Sequence, residues 1–164
     1  MQTNYTTTIQ EEKGIFKDFF LNKNAIVIVV IILGAVFGVA MTISGCFAVG
    51  KDKISVLSYA MVLLLGSLVC LVWLVLSYKK NLVNYMQRTL GDAGDSCISR
   101  TLTLESNRYT IVNHSAGNTV TFNKEDVAKY DEYKRTIAIR LVSNAYILLP
   151  NIENVKEIVS ELSD

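Results

Sequence analysis

The chain has 164 residues, a formal net charge of +1 and three cysteines, with 51% hydrophobic and 19% charged residues. So balanced a charge carries no electrostatic footprint for nucleic acid. Cys46, Cys70 and Cys97 form no C-x-x-C pair, which excludes a secreted disulfide framework and any familiar zinc-ligand spacing.

Residues 1–24 make a head of mixed charge. Thr3–Thr7 is polar, β-branched and extended in character. Thr8-Ile9-Gln10-Glu11 matches the capping-box pattern, in which a threonine hydroxyl and a glutamate carboxylate satisfy each other's backbone N–H groups. It predicts a helix from about Ile9. Ile15, Phe16, Phe19 and Phe20 share one face of that helix, and Lys13, Lys17 and Asp18 lie elsewhere on the wheel. An amphipathic helix lying at a membrane interface is expected.

Two apolar runs follow, Ala25–Val49 and Ile54–Tyr78, joined by a loop at 50–53, Gly50-Lys51-Asp52-Lys53. Neither run holds an Asp, Glu, Lys, Arg or His. At ~1.5 Å per residue each reaches roughly 38 Å as a helix, against ~30 Å of bilayer hydrocarbon. A transmembrane helical hairpin is predicted. The first run exceeds the ~7–15 residues of a secretory h-region, so it is read as retained. Without charge inside the spans, a transport or proton path is not expected. Cys46 and Cys70 lie at different depths, so no bridge between them is expected.

Lys13, Lys17, Lys23, Lys79, Lys80 and Arg88 flank the outer ends of the hairpin, against Lys51 and Lys53 in its loop. The positive-inside rule therefore expects a multi-pass cell-membrane protein with both termini cytoplasmic. Lys23, Trp73, Tyr78, Lys79 and Lys80 are the expected interface anchors. Gly34 and Gly38 form a G-x-x-x-G pair, and Gly66 and Cys70 repeat the small-x-x-x-small spacing. Folding the hairpin at its loop sets Gly38 near the depth of Gly66 and Gly34 near Cys70. Close packing of the two helices on each other through these four residues is expected, with a homodimer seam as the alternative.

Residues 79–95 are expected to extend the second helix to a stop at Gly91 and a linker, Asp92-Ala93-Gly94-Asp95. Beyond it, Ile98–Glu105, Arg108–Asn113, Thr119–Phe122, Asp126–Tyr133, Arg135–Val142 and Ala145–Leu149 alternate with period two and are separated by turn residues. Pro150 ends the last strand, Asn151 is expected to cap a helix, and Ile152, Val155, Ile158, Val159 and Leu162 mark that helix's apolar stripe. The expected class is an α+β membrane protein, with a two-helix hairpin and a small antiparallel β-meander, a curled sheet capped by a C-terminal helix at 96–164.

Three passages together resemble the YcxB-like membrane proteins. They are the head Thr8–Glu12, the run Thr119–Phe122 leading through Glu125-Asp126 into Val127–Tyr133, and the ending Tyr146-Ile147-Leu148-Leu149-Pro150. Phe122 stands where that pattern often has tryptophan, and Asn151 where a basic residue is usual. The resemblance implies a pleckstrin-homology-like (PH-like) tail, with Thr3–Thr7 joining its sheet and the hairpin inserted between strands. It implies no biochemical activity.

His114 is the only histidine and falls in a turn; Glu125-Asp126 and Asp131-Glu132 are neighbours that alternate between strand faces. No P-loop, nucleophile elbow or H-E-x-x-H is present. The expectation is a non-enzymatic binding or scaffold module, without cofactor or metal and without nucleic acid, whose partners are the lipid bilayer, a protein and a lipid headgroup. Glu153, Glu157 and Glu161 repeat every four residues and offer a docking stripe for a basic partner. The alternative is an accessory subunit of a larger membrane complex, with the hairpin as its interface. An interfacial enzyme using His114, Glu125 or Asp126 is a distant third.

Overall fold

A computed structural model describes residues 1–90 and 97–162. The helix stop at Gly91 and the linker Asp92–Asp95 lie outside the described residues. Two compact units emerge, Lys23–Lys80 and a second made of Met1–Asn22 together with Asn81–Asp164. The chain is α+β: two long apolar helices, then antiparallel sheets and a C-terminal helix.

The first unit holds α2 (Ala25–Phe47) and most of α3 (Lys51–Leu90). Both helices are long and apolar enough to cross a membrane, and only 6% and 11% of their apolar stretches are buried. The connection is shorter than the expected loop at 50–53. Gly50, at φ 72°, reverses the chain in a conformation that suits glycine, and α3 begins at Lys51. Helix α2 ends at Phe47, two residues before the apolar run does. Thr42 and Ser58 return their hydroxyls to the carbonyls of Gly38 and Ile54, so neither seeks a partner off its own helix.

The second unit is a β domain assembled from both sides of that insertion. Strand β1 (Gln2–Thr8) pairs antiparallel with β2 (Cys97–Glu105), Tyr5 opposite Arg100. Strands β3 (Arg108–Asn113) and β4 (Asn118–Asn123) complete a sheet of order β1-β2-β3-β4. The expected single meander is divided here. A 3-10 turn at Lys124–Asp126 breaks the ladder, and β5 (Val127–Glu132), β6 (Thr136–Leu141) and β7 (Tyr146–Pro150) form a separate sheet. Asn123 and Asp126 close that turn reciprocally as a capping box, which is why the strand predicted from Asp126 starts one residue later.

Period-two burial places Leu102, Leu104, Tyr109, Ile111 and Phe122 from the first sheet against Ile137, Ile139 and Leu149 from the second. Val155, Ile158 and Val159 of α4 (Glu153–Ser160) close the same core. Each such aliphatic side chain contributes roughly 1.5–3 kcal/mol when fully buried. The start of the predicted stripe differs. Ile152 precedes the helix as its N-cap residue, in extended backbone, and is 41% exposed. Asn151 does not cap α4; its amide donates to the Tyr133 carbonyl and to Glu132 instead.

Helix α1 (Ile9–Lys23) starts on the predicted capping box. The Thr8 N–H donates to Glu11 Oε2 at 2.7 Å, and the Glu11 N–H donates to Thr8 Oγ1 at 3.2 Å. Its apolar face is covered by protein rather than left for a membrane interface. Ile15, Phe16, Phe19 and Phe20 are all buried, with Phe19 against Tyr146 and Thr136 Oγ1 donating to the Ile15 carbonyl.

Candidate functional site

Alternation along β1 and β2 turns Tyr5, Thr7 and Arg100 inward, and the first turn of α1 sets Glu12 over them. Glu12 is fully buried and sits 2.9 Å from the Arg100 guanidinium. It also accepts hydrogen bonds from the hydroxyls of Thr7 and Tyr85. Tyr85 belongs to the last turns of α3 and stacks on Phe16 with ring centroids 5.2 Å apart. One carboxylate thus ties α1, β1, β2 and the end of α3 together. Burial alone would lower the Arg100 pKa, but the Glu12 carboxylate against it carries it above its ordinary value. Burial pushes the Tyr5 hydroxyl up, with Arg100 beside it opposing.

The end of α3 is held in the same domain. Asn113 Nδ2 donates to the Thr89 carbonyl at 2.8 Å and Asn118 Nδ2 to the Arg88 carbonyl at 3.0 Å, satisfying acceptors that the helix cannot. Asn113 Oδ1 accepts from the N–H groups of Ser115 and Ala116, so one side chain shapes the turn and caps the helix.

A shallow cavity of about 270 Å³ lies between β1 and α4, lined by Met1, Gln2, Thr3, Asn154, Glu157 and Ile158. Glu153, Glu157 and Glu161 are all exposed, and Glu157 alone of the three lines it. Lys156, between them in sequence, pairs with Glu132 of β5 at 2.7 Å. His114 is exposed, with Nε2 2.8 Å from Thr101 Oγ1. Asp126 serves the turn at Asn123, and Asp131 pairs with Lys129 at 2.8 Å. Among the described residues no three His, Cys, Asp or Glu side chains converge as metal ligands.

In the hairpin, Gly34 and Gly38 face α3. A Cβ at Gly34 would meet Ser67 Oγ at 2.5 Å, and one at Gly38 would meet Leu64 Cγ at 2.7 Å. Gly45 is packed likewise against Leu57. Gly66 and Cys70 do not take the roles expected of them: no atom lies within 4 Å of a Cβ at Gly66, and Cys70 is exposed. Gly38 and Gly34 meet Leu64 and Ser67, two and three residues nearer the turn than the expected Gly66 and Cys70, and the rotation differs as well. Leu57, Ala60, Leu64 and Ser67 share one side of α3, and Gly66 sits about 140° from its centre at ~100° per residue. Trp73 is 60% exposed; Lys23, Lys79 and Lys80 are exposed and Tyr78 is half-buried.

The Glu12 cluster was not among the sequence expectations. Neither Glu12, in the first turn after the capping box, nor Arg100, in an alternating strand, was singled out there. The available signal was the period itself: Ile98, Arg100, Leu102 and Leu104 share one face. No family model, curated protein or solved structure matches this chain.

Proposed function

We propose that the chain is a membrane-anchored, non-enzymatic binding module. Its hairpin spans the bilayer, and its β domain is a PH-like domain at the cytoplasmic membrane face that engages a protein partner. One observation carries this reading. An almost wholly exposed apolar hairpin is inserted between two strands that pair with each other. An exposed apolar surface of that length suits lipid and not water. The β1–β2 pairing requires residues before and after the hairpin to meet, which supports both flanks lying on one membrane face, as the lysine distribution also does.

The free cysteines supply the test, because Cys46 lies near the hairpin turn and Cys97 opens β2. The chain is expected to stay with membranes through alkaline carbonate extraction. In single-cysteine variants, an impermeant maleimide should reach Cys97 in inverted vesicles and not in intact cells. Release by carbonate would overturn the anchor, and labelling of Cys97 from outside would overturn the orientation.

A second reading, the accessory subunit, draws on the face of α3 bearing Gly66 and Cys70, which α2 leaves uncovered. Gly66→Leu should then abolish co-purification of a membrane partner while leaving the hairpin and the β domain folded. Unchanged co-purification would remove this reading.

A further inference from the structure

The outer face of the β5-β6-β7 sheet carries Thr136, Ala138 and Arg140 on its middle strand, opposite in direction to Ile137 and Ile139, which enter the core. Helix α1 lies along this face, through Thr136 to Ile15 at one end and, level with Arg140, through Tyr146 to Phe19. Arg140 stands between that covered edge and β5. It is directly opposite Lys129 on one side and Tyr146 on the other, so two cations and a phenol form a row across three strands. Neighbouring strands are ~4.8 Å apart, and like charges directly opposite each other are unfavourable.

The row is not neutralised from within. Asp131, on the same face, pairs with Lys129. Arg140 has no ion-pair partner among the described residues, and its Nε is buried without a hydrogen bond. A half-buried guanidinium beside a second cation, with one carboxylate for the two, leaves one positive charge unmet. Such an arrangement is costly unless an anion completes it. A guanidinium fork matches the oxygens of a phosphate in bidentate fashion, and Lys129 adds a point charge.

We propose that Arg140, supported by Lys129, binds a phosphate group, supplied either by an anionic lipid headgroup or by a free phosphate. The lipid source rests on the membrane-anchored reading above; the site itself does not. The test uses the full chain in a nonionic detergent, in chloride buffer of matched ionic strength. One arm titrates inorganic phosphate and follows the thermal unfolding midpoint. The other compares the chain in phosphatidylcholine vesicles with and without phosphatidylglycerol.

Phosphate should raise the midpoint of the wild-type chain, and R140Q should lose about tenfold or more in apparent affinity, the scale of one charged hydrogen-bonding group. K129Q should lose less, and R140K should keep part of the response, which separates charge and fork geometry from misfolding. A response to both probes identifies the phosphate group itself, a response to phosphatidylglycerol alone identifies the lipid, and a response to inorganic phosphate alone identifies the free ion. No response of the wild type to either probe, or an equal response from R140Q, overturns the site. Carbonate extraction reads the anchor independently of Arg140, so a chain that stays in the membrane yet ignores phosphate fails here alone.

Discussion

The Glu12 carboxylate and the Arg100 guanidinium stand 2.9 Å apart, with Glu12 fully buried and the Arg100 side chain 7% exposed. The two residues come from opposite sides of the hairpin insertion, so the ion pair exists only once the chain has returned. Removing one partner leaves the other charged and dry. Glu12→Gln or Arg100→Met should therefore destabilise the β domain by about 3–5 kcal/mol, and the double variant should cost clearly less than the sum. Hydrogen exchange across β1 and β2 in the detergent-solubilised chain would measure it. Additive losses would show that the pair is not coupled.

Tyr85 tests the same cluster from the α3 side. Tyr85→Phe keeps the stacking on Phe16 and removes the hydroxyl that donates to Glu12. A hydrogen bond to a charged group contributes about 1.5–3 kcal/mol, so a loss of that order is expected in equilibrium unfolding. Tyr85→Leu should cost more, since the ring contact goes as well.

Tyr5→Phe should act in the opposite direction. The Tyr5 hydroxyl is buried without a hydrogen-bond partner, and its removal should stabilise the domain by about 1 kcal/mol. Its pKa is raised above the ordinary 10.0, by burial first, against the pull of Arg100. A raised folded-state pKa gives stability that is fully present below the unfolded value and lost as pH rises beyond it. The wild-type chain should therefore lose stability relative to Tyr5→Phe from about pH 10 upward, and the two should run parallel below. Parallel melting curves across that alkaline range would refute the assignment.

The capping box at the start of α1 offers a smaller, local test. Thr8→Ala removes the hydroxyl that accepts from the Glu11 N–H and donates to its carboxylate, leaves the Thr8 N–H donation in place, and should cost about 1 kcal/mol. Glu11 is held below the usual carboxylate range by the Thr8 N–H first and the Thr8 hydroxyl second. The stability it lends is therefore present above the unfolded carboxylate pKa and fades as pH falls. The difference between wild type and Thr8→Ala should narrow in acid, as a pH series of melts would show.

What was legible in the sequence follows from which forces are local. Uncharged runs declare long apolar helices whatever surrounds them, and alternation in Ile98–Glu105 or Arg135–Val142 declares strands. Capping at Thr8 is a contact over three residues and was readable for the same reason. The Glu12–Arg100 pair is not local. A charged residue on an otherwise apolar strand face has no visible partner until β1 is laid beside β2, 88 positions apart at the ion pair itself. Asn151 misled because asparagine is a good cap, yet Tyr133 and Glu132 reached it first. The break between the two sheets rests on the Asn123–Asp126 turn, a geometry that alternating residues on either side do not announce.

The hairpin shows the same division between depth and direction, and yields the last prediction. The G-x-x-x-G spacing of Gly34 and Gly38 marked the face of α2 that meets α3. Counting from the loop gives only an approximate depth and no rotation about α3, where Ala60, Leu64 and Ser67 face α2 and Gly66 and Cys70 do not. Gly38→Leu would drive a branched side chain into Leu64 and the Ala60 carbonyl, where a Cβ alone already meets atoms at 2.7 and 3.4 Å. Overpacking of this kind costs roughly 1–3 kcal/mol. Gly66→Leu meets open space and should leave hairpin stability unchanged or slightly raised, since glycine weakens a helix interior by roughly 1 kcal/mol relative to better formers. Steric trapping or thermal unfolding in micelles, reporting on the single Trp73, would separate the two variants. Equal losses at both positions would mean that the two helices pack through the Gly66 face after all.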